Sequence, residues 1–294
     1  MVVRPAALSY LREDFPLSKC VERLSSNHFR NWGPAVIDML QKIVDHKWTE
    51  IEAAKQNCPF EELQAQLADA PPVRDFYTAI RQAKAPALIA EVKRASPSAG
   101  LIRPDFSPVE IATLYEKAGA TCLSVLTDEH FFQGHLDYLK QIRQQVSIPV
   151  MRKEFILDRY QLLEARIAGA DAALLIAECL DEATLKDLYE YAHEIGLATL
   201  VELYEPENLQ RVLDLNAPLI GVNNRDLRNF TTDLQHCIRL HQKVPEQTLF
   251  VAESGIHTPE HVQLLRDAQI DAMLVGESLM RADCIETKVQ EILA

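Results

Sequence analysis

From residue 87 onward, short apolar runs rich in β-branched residues alternate with amphipathic stretches and small-residue turns. The apolar runs cover residues 87–92, 122–127, 149–155, 172–177, 198–203, 219–224, 249–254 and 272–275. Between them, residues 108–118, 158–168, 182–195 and 259–268 carry the 3.6-residue spacing of helices with one apolar face. Ser107 before Pro108, Thr258 before Pro259, and Asp181 are expected to cap three of these helices. Gly119-Ala120 and Gly169-Ala170-Asp171 provide tight returns into the next strand. Strands this continuously apolar are buried on both faces, which requires a parallel sheet covered by helices. An open doubly wound sheet meets the same requirement, but no GxGxxG or Walker loop follows the first strand. The pattern therefore predicts an α/β fold, a (β/α)8 TIM barrel with an N-terminal helical extension.

The segment before residue 87 has a different rhythm. Residues 35–56 form one long stripe, with Ile37, Leu40, Ile43, Val44, Trp48 and Ile51 on a common face. A second helical stretch covers residues 60–68, and Pro71-Pro72 ends it. A stripe as long as the first needs an apolar partner, and the rim of the barrel is the nearest one. The chain thus divides into an extension at 1–34, helices at 35–86 that pack on the barrel, and the barrel at 87–294. The last two parts form one structural domain.

Composition narrows the function. With 294 residues, 48% hydrophobic and 25% charged, the chain has the make-up of a globular protein and the length of one barrel of about 250 residues plus an extension. A net charge of −13 repels nucleic acid and anionic membranes, so the expected partner is a small molecule. The same charge opposes an anionic substrate at long range, so a phosphate group must be captured by local contacts. The cysteines Cys20, Cys58, Cys122, Cys179, Cys237 and Cys284 form no CxxC pair and stand at no metal-ligand spacing from histidine. They read as reduced core thiols of a cytoplasmic protein without a metal site. The first residues carry Arg4, Arg12, Glu13 and Asp14 and no apolar leader core, and no run approaches the ~20 apolar residues that span a bilayer. With the helix stripes all committed to the barrel, a monomer is expected.

In a barrel, chemistry gathers where strands end at their carboxyl side. Here the first run ends in Glu91-Val92-Lys93-Arg94-Ala95-Ser96-Pro97-Ser98, and strand alternation puts Ile89, Glu91 and Lys93 on one side. The third run places Lys153 and Phe155 together. The fifth supplies Glu202, the sixth Asn223 and Arg225, and the seventh Glu253. A single charge at a strand end is ordinarily a solvated rim residue. Glu91, Glu202 and Glu253 set against Lys93, Lys153 and Arg225 form a balanced set, which suggests a shared and partly dry pocket. Ser254-Gly255 and Gly276-Glu277 offer backbone N–H groups for a phosphate, although simple glycine turns would look the same. Phe131-Phe132 lies in the loop after the second run. With Phe155 and Leu227, these rings offer a slot for a planar group or ordinary loop packing. The histidines do not cluster, and none is assigned to catalysis.

Taken together, these segments resemble the indole-3-glycerol-phosphate synthase family. The resemblance rests on the strand-one segment, Lys153-Glu154-Phe155, Glu202, Asn223-Asn224-Arg225-Asp226-Leu227, Glu253-Ser254-Gly255 and Gly276-Glu277-Ser278-Leu279-Met280. It runs from about residue 35 to 294. It implies a cofactor-free carboxy-lyase of tryptophan biosynthesis acting on a sugar phosphate, 1-(2-carboxyphenylamino)-1-deoxyribulose 5-phosphate. By the same resemblance Lys153 is the general acid at the ketone. Lys93 meets the departing carboxylate or donates a proton in dehydration, with Glu202 as acid/base and Glu91 as a paired base. Asn223 and Arg225 orient groups, and Glu253 steadies the lysines. Ser96, Ser254, Gly255, Gly276 and Glu277 hold phosphate, and Phe132, Phe155 and Leu227 line the ring site. Glu154 departs from the family's usual Asp, at a position expected to face away from the pocket. A phosphoribosylanthranilate-isomerase-like barrel is the alternative enzyme, although it would be expected to use an Asp or Cys pair. A non-catalytic phosphate-binding paralogue is the alternative without chemistry, and it would have no reason to keep Lys93, Lys153 and Glu202.

Overall fold

The computed structural model describes residues 34–226 and 231–294, with side chains from Met39 onward. The expectations placed on residues 1–33, on Cys20, on the Ile37 side chain and on Leu227 lie outside the described residues. Eight parallel strands close into a barrel: β1 (Ala87–Val92), β2 (Cys122–Leu126), β3 (Val150–Lys153), β4 (Ala172–Ile176), β5 (Ala198–Leu203), β6 (Leu219–Asn223), β7 (Leu249–Glu253) and β8 (Ala272–Val275). Each strand pairs with the next, and β1 pairs with both β2 and β8, which rules out an open sheet. Several strands stop one or two residues before their apolar runs do, because the chain must turn outward at the rim to free its polar ends.

Alternation along each strand sorts the two layers. Ala87, Ile89, Met151, Leu174, Leu200 and Val251 fill the barrel interior, whereas Leu88, Ala90, Val201 and Phe250 face the surrounding helices. The lower end of the interior is plugged by a helix at Phe76–Gln82, whose Phe76 and Ile80 join the inner cluster. Asp75 caps it by accepting from the Thr78 amide at 2.9 Å. Around the barrel, Thr258 and Asp181 cap their helices as expected. Ser107 occupies the cap position without a side-chain bond, and Pro108 starts that helix through its fixed φ instead. Among the caps that the sequence did not suggest, Asp158 forms a reciprocal capping box with Gln161.

The first described helix, α1 (Pro34–Asn57), lays Leu40, Ile43, Val44 and Ile51 against the barrel's upper end. Its far end is held by the Tyr160 hydroxyl, which donates to the Ala54 and Cys58 carbonyls, and by Lys55, paired with Asp158 at 2.8 Å. Cys122, Cys179 and Cys237 are core thiols, but Cys58 is half-buried and Cys284 is exposed. Both of these flank helix ends, where the chain reaches solvent. Among the described residues no helix is long and apolar enough to cross a membrane.

Candidate active site

A cavity of about 200 Å³ opens at the carboxyl ends of the strands. Its floor is the last inward-facing layer: Glu91 from β1, Lys153 from β3, Glu202 from β5 and Asn223 from β6. Lys153 is the hub. Its ammonium lies 2.7 Å from Glu253, 3.4 Å from Glu202 and 3.8 Å from Glu91. Lys93 pairs with the other oxygen of Glu91 at 2.5 Å. Asn223 donates to Glu202 at 3.2 Å, and its own carbonyl oxygen accepts the Arg225 amide at 3.0 Å.

Register makes these meetings possible, because Asn223 stands beside Glu253, and Glu202 beside Gly221. A Cβ on Gly221 would strike the Glu253 carboxylate, and one on Gly276 would strike that of Glu91. Gly276 was expected to open a backbone approach to phosphate. In the structure it makes room for a carboxylate on the floor, an additional reason for glycine at that position.

Arg225 lines the same cavity as the lysines but does not join them on its floor. The Arg225 guanidinium turns to the rim, where it meets Glu277 at 3.2 Å and Ser98 at 3.3 Å. Two lysines are thus left in direct contact with three buried carboxyl groups. Burial pulls the Lys153 ammonium down, but Glu253, Glu202 and Glu91 outweigh it and hold the group well above the ordinary lysine range. Burial likewise raises Glu91, but Lys93 and Lys153 bring it below the usual carboxylate range. Glu253 goes the other way. Burial, together with Glu202 beside it, pushes its carboxyl up to about 8 despite Lys153. Glu253 is 1% exposed and sits beneath Lys153 rather than on the cavity wall.

The walls differ in character. One side carries Ser96, Ser254, Gly255, Gly276 and Glu277. Ser254 and Gly255 both adopt the left-handed region, with φ of 68° and 78°, and a Cβ on Gly255 would press on the Thr232 side chain. The opposite side is apolar: Phe132 and Phe155 lie with ring centroids 6.0 Å apart and tilted by 40°, near Leu126 and Ile176. Phe131, next in the chain, instead packs edge-on to His46 and His130. Met39, Leu40 and Ile43 of α1 complete this wall. Sequence reasoning placed that helix on the rim but did not make it part of the cavity, because a stripe of apolar residues carries no signal of a ligand. It also missed Ser98 and His257, both of which line the cavity. Ser98 lay within the strand-one motif, and its approach to Arg225 was the missing information.

An acid–base cluster on the floor of a closed (β/α)8 barrel, between an apolar wall and a glycine-bearing polar wall, is the arrangement of an enzyme that works on a small molecule by proton transfer. The match that narrows this class is the family model for indole-3-glycerol phosphate synthase, which covers residues 40–292, and the chain belongs to that family. A protein of Rhodopirellula baltica named indole-3-glycerol phosphate synthase is 57% identical over 236 residues, 80% of this chain and 91% of that protein. One of the same name from Legionella pneumophila strain Lens is 47% identical over 255 residues, covering 87% and 98%. Among solved structures, 3-hexulose-6-phosphate synthase superposes with a TM-score of 0.57 at 14% identity, over 70% of this chain and 97% of that one. The Pyrococcus furiosus tryptophan synthase structure does so at 0.55 and 16%, over 71% and 97%. At such identities these two show the barrel fold alone.

Proposed function

We propose that Lys153 is the general acid of the ring-closing step in the family's reaction, the conversion of 1-(2-carboxyphenylamino)-1-deoxyribulose 5-phosphate to indole-3-glycerol phosphate, CO2 and water. The observation that carries this reading is the Lys153 ammonium fixed on the cavity floor between the carboxylates of Glu91 and Glu202 and above the carboxyl of Glu253. Such a group stays charged through the neutral range and is positioned to donate a proton. The carboxylate-bearing ring carbon attacks the ketone carbon, a C–C bond forms, and Lys153 delivers a proton to the ketone oxygen. The bond to the carboxylate then breaks, CO2 leaves, and its electron pair restores the aromatic ring. Protonation of the new hydroxyl expels water, and loss of a proton from the neighbouring carbon completes the indole.

Lys93, paired with Glu91, faces the departing carboxylate or donates in the dehydration, while Glu202 exchanges protons in that last step. Asn223 and Arg225 hold Glu202 and the sugar hydroxyls, and Glu253 holds Lys153. Ser96, Ser254, Gly255, Gly276 and Glu277 take the phosphate, and Phe132 and Phe155 take the aryl ring. The substrate's own nitrogen serves as the electron sink, so these side chains supply all the chemistry without a cofactor. We further propose that the protein works as a cytoplasmic monomer.

Lys153→Met tests the central role. Turnover is expected to vanish while affinity for glycerol 3-phosphate stays within about tenfold, ~1.4 kcal/mol. Undiminished turnover would remove Lys153 from the mechanism.

A further inference from the structure

Lys47 lies on the buried face of α1, one stripe with Leu40, Val44 and Ile51, and is 3% exposed. Its ammonium meets Glu50 at 2.5 Å, Asp128 at 2.9 Å and Glu154 at 3.0 Å. Burial pulls this ammonium down, and Glu154 and Asp128 more than restore it. Asp128 belongs to the loop after β2 and Glu154 immediately follows β3, and both are almost fully buried. Each carboxylate has a second task. The other oxygen of Asp128 accepts the amides of Phe131 at 2.7 Å and Phe132 at 3.1 Å. The Glu154 oxygen facing Lys47 also accepts the Phe155 amide at 2.9 Å, and its partner oxygen accepts from the Thr127 hydroxyl at 2.8 Å. One cation thus joins the two carboxylates that fix the backbones of both cavity phenylalanines.

We propose that Lys47 is a positioning residue for the aryl slot, setting the Phe132 and Phe155 walls against each other and against α1. The inference rests on the slot assigned above to these two rings. An apolar residue would seal the helix against the barrel at least as well, since a buried ion pair is often no more stabilising than packed apolar side chains. What an apolar residue lacks is the charge that draws Asp128 and Glu154 toward one point. The same ammonium fixes the helix about one turn from Ile43 and about two turns from Met39 and Leu40, which form the rest of that wall. Lys47 therefore links the position of the helix to the backbones that carry both rings.

The test compares two probes by titration calorimetry: indole-3-glycerol phosphate, which carries ring and phosphate, and glycerol 3-phosphate, which carries phosphate alone. For Lys47→Met the dissociation constant of the first is expected to rise tenfold or more, while that of the second stays within twofold. In turnover, KM is expected to rise by a similar factor and kcat to fall less than threefold. Loss of folded protein alone would lower the apparent kcat and leave KM unchanged. Equal weakening of both probes, or of neither, would overturn the proposal. Asp128→Asn provides the same comparison where Lys47→Met does not fold, since it keeps an acceptor for the Phe131 and Phe132 amides while removing a charge facing Lys47. Phe155→Ala separates the slot from the residue that positions it. If it leaves indole-3-glycerol phosphate affinity unchanged, the slot itself is misplaced and the inference falls with it. If it weakens that affinity while Lys47→Met does not, the Lys47 inference alone fails.

Discussion

Glu253 sits at the bottom of the site, bonded to Lys153 on one side and facing the space left by Gly221 on the other. Its carboxyl is raised from an ordinary 4.5 to about 8, so the folded protein keeps a proton that the unfolded chain has already released. Between those values, each rise in pH therefore removes stability. Unfolding free energy is expected to fall more steeply with pH in the wild type than in Glu253→Gln, by at most about 1.4 kcal/mol per pH unit. Parallel slopes in urea titrations at pH 5, 6 and 7 would show that Glu253 ionises freely in the folded state. At this scale the sequence was informative where alternation alone decides direction, as for Glu91 and Lys153. It was silent where a partner comes from elsewhere in the chain. Arg225 left the floor for Glu277, 52 residues away, and no local spacing shows that. Lys47 has the spacing of a buried position and the charge of an exposed one, and only the carboxylates waiting for it settle the conflict.

Among the elements, the long periodic ones were legible and the short ones were not. The 24 residues of α1 (Pro34–Asn57) repeat their stripe often enough to be read without coordinates. The seven-residue plug at Phe76–Gln82 completes barely two turns, too few for a period to stand out, and nothing local says that it closes the barrel's lower mouth. The plug and the site lie at opposite ends of the strands, where stability and catalysis separate. Phe76 is fully buried in the inner cluster, so Phe76→Ala is expected to cost about 3–5 kcal/mol in urea unfolding. KM for the substrate is expected to stay within twofold. A large change in KM would mean that the lower end communicates with the cavity.

For the molecule as a whole, the alternation of strands and helices pointed to a parallel α/β sheet, the missing nucleotide loop favoured its closed form, and six motifs in order pointed to the family. The cavity's shape remained hidden, since it depends on how α1 and the loop after β2 meet across the rim. The family match begins at residue 40, so deletion of residues 1–33 is expected to leave turnover and melting temperature unchanged. Loss of soluble protein would make that segment part of the folding unit. The central claim is that this cavity closes an indole ring with its own acid and base groups. Purified, metal-stripped protein given 1-(2-carboxyphenylamino)-1-deoxyribulose 5-phosphate should develop indole fluorescence and release CO2 in equal amounts. A wild-type protein that binds this compound and yields neither product would contradict the account.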